Sequence, residues 1–161
     1  MTAQQLIDAL AQSRAKFLRH VEGMTEEQCR WKPYPECMSV NDTLMHLMID
    51  DLAAIESLDT KAEPSYEKHR EEVHAQNGNF DHVALLERLA ETHQLLIGKL
   101  KGEYGSADLD TNICIWGDMK PLGLGIPFLA TEDSYHSGQV SFIRQAQDPS
   151  WNYYAAIYGA E

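Results

Sequence analysis

The stretch PFLATEDSYHSGQVSFIR, from Pro127 to Arg144, carries the pattern on which the interpretation of the whole chain depends. Read as a helix, it places Glu132 and His136 on one face, because residues four positions apart lie one turn above each other. A carboxylate and an imidazole in this arrangement can bind one metal ion together. The obvious third ligand is His46, inside the apolar segment LMHLMI. The pattern predicts a helix bundle with a metal site between its helices.

Apolar residues recur at helical spacing in four long segments, which predicts an all-α fold built as a four-helix bundle. The second segment begins at Ser39, whose side chain and that of Asp42 form a typical helix-start pair. Thr25 and Gln28 form a similar pair before a shorter helical turn. Pro127 suits the first turn of the fourth helix, where a missing N–H costs nothing. The four predicted helices cover residues 2–21, 40–58, 81–101 and 127–144.

Long connections follow the second and third helices, so tight turns between consecutive helices are not expected. The first connection, residues 59–79, is polar and includes a short exposed helix around residues 66–75. The second, residues 102–125, contains the alternating stretch NICIWG, which predicts a short strand or hairpin. No internal repeat or domain boundary is visible.

The charge balance restricts the partners that the chain can have. The 161 residues include 13 Lys and Arg against 25 Asp and Glu, which gives a net charge of −12. Nucleic acid and anionic membrane surfaces would repel such a protein. No apolar run approaches the roughly 20 residues that span a bilayer. The three cysteines, Cys29, Cys37 and Cys114, are odd in number and form no CxxC pair, which favours a reducing cytoplasm.

Two motifs resemble those of the DinB/YfiT-like family. PYPECMSVNDTLMHLMIDD is similar to the family's second-helix signature, in which an extended Trp/Pro segment leads to one metal-binding histidine. EDSYHSGQVSFIRQ is similar to its fourth-helix signature, His-x-x-x-His followed by Gly-Gln and then Leu-Arg or Ile-Arg. The resemblance covers residues 1–161 as a single domain. It implies an up-down-down-up four-helix bundle, often a homodimer, that binds a divalent metal through three histidines.

By this resemblance, His46 and His136 take two of the metal-binding places, and the third falls on Glu132 in place of a histidine. A carboxylate can replace an imidazole, since two histidines and one carboxylate form open zinc and iron sites. The implied cofactor is one divalent transition metal ion: zinc, nickel, iron or manganese. Because residue 132 is a glutamate where the family has a histidine, a second outcome stays open, in which the metal is lost and Glu132 pairs with a histidine.

Ordinary roles compete with ligation for each of these residues. A lone His46 would be a hydrogen-bonded core histidine, and Glu132 a solvated helix residue. Asp133 is a competing carboxylate for Glu132. Asp50, one turn from His46, either orients that ring or is solvated, and we expect the solvated role.

Two further positions of the fourth helix, Gly138 and Gln139, have candidate roles. Gly138 would permit close helix approach or access to the site, and Gln139 would hydrogen-bond a ligand or be a buried structural amide. The remaining histidines lie in polar surroundings and are predicted at the surface: His20, His69, His74, His82 and His93.

Two classes of function remain. The resemblance implies a metal-dependent thiol transferase or hydrolase, with a small-molecule thiol or electrophile as substrate. The alternative is a non-catalytic stress-related or scaffold protein with a structural or lost metal site. A ferritin-like di-iron bundle would need paired Glu-x-x-His motifs. Only Glu71 and His74 have that form, in a polar connection, so this class is disfavoured.

Overall fold

The computed structural model describes residues 1–159, and its architecture is mostly helical with one small hairpin, as the all-α prediction requires. The helices are α1 (Ala3–Val21), α2 (Glu26–Arg30), α3 (Val40–Thr60), α4 (Tyr66–Asn77), α5 (His82–Tyr104), α6 (Leu122–Gln147) and α7 (Tyr153–Tyr158). The strands are β1 (Asn112–Ile115) and β2 (Asp118–Pro121). Within residues 1–159, none of the helices combines the length and apolar content that a membrane crossing needs.

The first three helices begin at capping boxes, in which a hydroxyl and a side chain three residues later satisfy each other's backbone N–H groups. Two of these starts were predicted from the sequence and are confirmed. The polar connection after α3 contains the predicted exposed helix, α4, and the NICIWG segment forms the predicted hairpin. The capping pairs are Thr2 with Gln5, Thr25 with Gln28, and Ser39 with Asp42.

The four long helices α1, α3, α5 and α6 contact one another in a ring. The most extensive contacts join α1 to α6 and α3 to α5, and further contacts join α1 to α5 and α3 to α6. Apolar side chains fill two clusters along the ring, one around Phe17 and Leu44 and the other around Ile7 and Leu96. This packing places α3 beside α6, which is the pair that carries the predicted ligands. The up-down-down-up order and the single domain over residues 1–161 stay predictions.

Helix α6 begins five residues earlier than the sequence predicted. It starts at Leu122, so Pro127 lies inside the helix and not in its first turn. The early start is possible because β2 runs directly into the helix, and the loop before β1 supplies hydrogen-bond acceptors. The Leu122 and Gly123 N–H groups donate to the Thr111 and Leu109 carbonyls at 2.8 and 2.9 Å. Those contacts satisfy donors that a helix N-terminus otherwise leaves without partners.

The hairpin also brings an aromatic side chain to the middle of α3. Its turn contains Trp116 and Gly117, both with positive φ, at 50° and 87°. The Trp116 indole N–H donates to the Asp50 carbonyl oxygen at 3.0 Å. The Gly117 amide donates to the Ser57 hydroxyl at 3.1 Å. These bonds fix the hairpin turn against α3.

A buried ion cluster takes one side chain from each of the four long helices. Arg14 of α1 binds Asp51 of α3 through both terminal nitrogens, at 2.9 and 3.2 Å, and donates from Nε to Asp133 of α6 at 2.5 Å. His93 of α5 lies with Nδ1 3.2 Å from Asp51 Oδ2. All four residues are buried.

The prediction that His20 and His93 lie at the surface is therefore wrong. His93 joins the ion cluster, and His20 is 1% exposed with Nδ1 3.0 Å from the Lys16 carbonyl oxygen. Both lie on helix faces that face a neighbouring helix, and the polar residues beside them in sequence occupy the outer faces. His74 is exposed as predicted, and His69 and His82 are half-buried.

Replacing Arg14 with leucine should lower the free energy of unfolding by about 3–5 kcal/mol, because two buried carboxylates would lose their cation. Urea denaturation followed by circular dichroism measures the change. The matched control is Arg88→Leu, since Arg88 pairs with Glu91 on the exposed face of α5 and such pairs contribute little. Equal stability of the two variants would show that the cluster does not hold the helices together.

Candidate metal centre

Three side chains that the sequence singled out meet between α3 and α6. His46, Glu132 and His136 each offer one donor atom, and these atoms lie within 4.8 Å of one another. His136 Nε2 is 3.6 Å from Glu132 Oε2, and His46 Nε2 is 4.0 Å from the same oxygen. The two imidazole rings meet edge to face, with centroids 4.9 Å apart. The helical spacing of Glu132 and His136 thus produces the predicted juxtaposition.

His136 is held in one tautomer by its neighbour on the same helix. Its Nδ1 donates to Gln139 Oε1 at 2.6 Å, which leaves Nε2 without a proton in the neutral ring. The side chain is buried, and Nε2 has no hydrogen-bond partner among the described residues. Burial and the neighbouring His46 lower the pKa of His136 to about 4. A neutral imidazole with a free, buried acceptor nitrogen is the form that binds metal.

His46 lies at the mouth of the site and is less constrained. Its side chain is 38% exposed, so it is not the fully buried core histidine that its apolar surroundings suggested. Burial, with a smaller effect from Arg70, lowers the pKa of His46. The neutral ring is therefore favoured here also, which suits ligation.

Two carboxylates complete the polar lining of the site. Glu132 is half-buried, and burial together with Asp133 raises its pKa. Asp50 is buried, with Oδ2 3.1 Å from His46 Nε2, so the expected solvated role is wrong. Burial, Glu132 and Asp51 raise the pKa of Asp50 to about 8. The signal in the sequence was the four-residue spacing from His46, which places both side chains on one face of α3.

A cavity of about 280 Å³ opens over this group. Its walls are His46, Asp50, Tyr66, Trp116 and Glu132. The two aromatic walls come from α4 and from the hairpin turn, both in the long connections of the chain. Sequence reasoning identified these segments but assigned them no part in the site, because only the folded packing brings them to α3.

The residues present fit a divalent metal ion. In a tetrahedral shell with bonds of about 2.0–2.1 Å, two donors lie about 3.3 Å apart. The separations of 3.6 and 4.0 Å between the imidazole nitrogens and Glu132 are about 0.3 and 0.7 Å longer than that value, so a bound ion would draw these side chains together. The unpartnered Nε2 of His136 is a further indication, since buried polar atoms normally have partners. His46, Glu132 and His136 could hold such an ion.

Several other candidates do not contribute to this group. Asp133 lies against Arg14 in the ion cluster, so its role as an alternative ligand is wrong. A Cβ built on Gly138 would meet no atom within 4 Å, so this glycine does not permit close helix approach. Cys29 is a free thiol whose pKa is raised to about 12, chiefly by burial. Gln139, in contrast, does contact the group, since it makes the predicted hydrogen bond to the candidate ligand His136.

In chelator-treated protein, the His136 imidazole should stay neutral down to about pH 4. Because an unfolded histidine takes up its proton near pH 6.5, His136 makes the fold less stable as the pH falls from about 6.5 to 4. Long-range ¹H–¹⁵N NMR measures the tautomer and the titration midpoint, and His136→Gln assigns the signal. A midpoint at or above 6.5, or a proton on Nε2 at neutral pH, would contradict this description.

Comparison with known proteins identifies the family. No curated protein and no solved structure matches the chain. The family model of the DinB superfamily matches residues 9–140, which include most of α1, all of α3 and α5, most of α6 and all three clustered side chains. The chain therefore belongs to the DinB superfamily.

Proposed function

We propose that this DinB protein binds one divalent transition metal ion through His46, Glu132 and His136, and that it transfers small-molecule thiols to electrophiles. Zinc, nickel, iron and manganese are the candidate ions, and hydrolysis is the other reaction that such an ion supports. The observation that carries the proposal is the free, buried Nε2 of His136 beside two further donors at the edge of a cavity. This arrangement is expected of an open metal site and has no evident use in a packed core.

The protein residues would position and limit what enters the site. A bound divalent ion supplies a Lewis acid that can bind a thiolate or lower the pKa of water. Gln139 fixes the ring of His136, and Glu132 removes one unit of positive charge. Tyr66 and Trp116 bound the cavity of about 280 Å³ on its aromatic side, which limits the ligand to a small molecule.

The second candidate is a non-catalytic protein with a structural metal. One observation favours it: the buried Asp50 carboxylate lies 3.1 Å from His46 Nε2, where it could fill a position that a substrate would need. Structural zinc sites have four protein ligands, whereas catalytic ones keep a position open. The two candidates therefore differ in the number of protein donors.

A homodimer and a cytoplasmic location are also part of the proposal, on the grounds of the family resemblance and the free cysteines. Tyr135 and Phe142 lie on the outer face of α6 and are 63% and 65% exposed, so this face offers apolar area to a second copy. We further propose the up-down-down-up helix order of the family for the bundle.

Purified protein should contain, or take up, about one divalent ion per chain, and His136→Ala should abolish this binding. Elemental analysis and isothermal titration measure the stoichiometry. His74→Ala is the matched control, because His74 is an exposed histidine on α4 outside the cluster. Full metal content in His136→Ala would remove the proposed site, and no uptake of any of the four ions by the wild type would favour the scaffold alternative.

Replacing Glu132 with histidine should shift the metal preference toward zinc and nickel relative to manganese. The reason is that imidazole suits zinc and nickel, whereas carboxylate suits harder ions such as manganese. Competition titrations with each ion give the ratio of dissociation constants, and Glu132→Gln serves as the control that removes the charge without adding a nitrogen donor. An unchanged ratio in Glu132→His would show that residue 132 is not a ligand.

A further inference from the structure

Asp50 is a buried carboxylate without a cation. The residue is 8% exposed, and its Oδ2 has no hydrogen-bond partner among the described residues. Its main chain is fixed, because the Asp50 carbonyl accepts the indole N–H of Trp116. His46 Nε2 lies 3.1 Å from Asp50 Oδ2, but this contact lacks the geometry of a hydrogen bond.

The adjacent carboxylates contact a cationic side chain, whereas Asp50 does not. Asp51 and Asp133 share the guanidinium of Arg14, with contacts of 2.9 and 2.5 Å. Asp50 has no Lys or Arg contact in the described part of the chain, and it faces the negative Glu132 across the cavity. A buried carboxylate without a cation is unfavourable when it is ionised, so such a group takes up a proton, pairs with a cation or coordinates a metal. The cavity wall that it shares with His46 and Glu132 is where a cation would lie.

We propose that Asp50 is a fourth protein donor to the metal ion held by His46, Glu132 and His136. The proposal rests on the proposed metal site and adds one ligand to it. The 3.1 Å between Asp50 Oδ2 and His46 Nε2 is close to the separation of about 3.3 Å between donors that share one tetrahedral ion. The group whose donors lie within 4.8 Å of one another does not include Asp50, so its side chain would move toward the ion to bind it. Their contact without hydrogen-bond geometry fits two lone pairs that face a common ion.

The additional carboxylate changes what the site can do with different metals. Two imidazoles and two carboxylates fill a tetrahedral zinc shell, which is the arrangement of a structural site. An octahedral ion such as manganese or iron(II) keeps two positions free with the same four donors. A second carboxylate also favours the harder ions. Asp50 thus makes manganese or iron the ion with which this site could bind a substrate.

The test is the Asp50→Asn variant of the full chain, with metal affinity and coordination as readouts. Dissociation constants for manganese and zinc come from competition with a chelator, and the visible absorption of bound cobalt(II) reports coordination number. We expect manganese affinity to fall at least about 10-fold, as for loss of a group that supports a metal site. Zinc affinity should fall less, and the cobalt spectrum should change. Asp50→Glu, which keeps a carboxylate, should recover part of the manganese affinity.

Asp59→Asn is the control, because it removes one exposed carboxylate from the same helix and should leave both constants unchanged. Metal binding by the wild type with the same affinities in Asp50→Asn would overturn the fourth donor and leave the proposed function intact. Weaker binding with an unchanged cobalt spectrum would also overturn it, since Asp50 would then only orient His46. Absence of metal from the wild type would overturn the proposed function itself, and the fourth donor with it.

Discussion

The position of the candidate metal centre depends on the guanidinium of Arg14. One planar cation binds carboxylates from α3 and α6, and His93 from α5 contacts the same Asp51. A buried charge tolerates little displacement, because any movement that breaks one pair exposes an uncompensated carboxylate to an apolar interior. The cluster therefore fixes the rotation of each helix about its axis and its axial position relative to its neighbours. Apolar packing alone specifies both less tightly.

This constraint reaches the candidate metal centre through two pairs of adjacent residues. Asp51 and Asp133 belong to the ion cluster, and the residues immediately before them, Asp50 and Glu132, face the cavity. Successive residues of a helix point about 100° apart, so holding one member of each pair fixes the direction of the other. The fold thus separates four carboxylates into a pair that contacts an arginine and a pair that contacts no Lys or Arg among the described residues. Arg14 supplies one positive charge to the first pair, and the second pair faces the imidazoles.

Much of this arrangement could be predicted from the sequence. The residues whose positions were not predicted were missed for one common physical reason. Helical spacing and capping pairs predicted α1 to α3, and one-turn spacing predicted the approach of Glu132 to His136. The surroundings of Asp50, Asp133 and His93 depend on side chains from distant segments, to which local periodicity is insensitive. The sequence suggested a surface position for His93, a solvated role for Asp50 and a competing metal-ligand role for Asp133. The early start of α6 was missed for the same reason, because the acceptors for its first N–H groups come from the loop before β1.

The number of carboxylates at the centre also determines which substrates its charge favours. A divalent ion with two neutral imidazoles and Glu132 alone has a net charge of +1 and attracts an anion such as a thiolate. With Asp50 as a second carboxylate the net charge is zero, and this attraction is lost in a cavity where charges interact more strongly than in water. The chain as a whole carries −12, so its long-range field does not steer anions to the site. A four-donor site would therefore bind its thiol as the neutral molecule, or through displacement of Asp50 by the incoming anion. In the second case Asp50 would complete the resting site and would be the group that leaves when substrate binds.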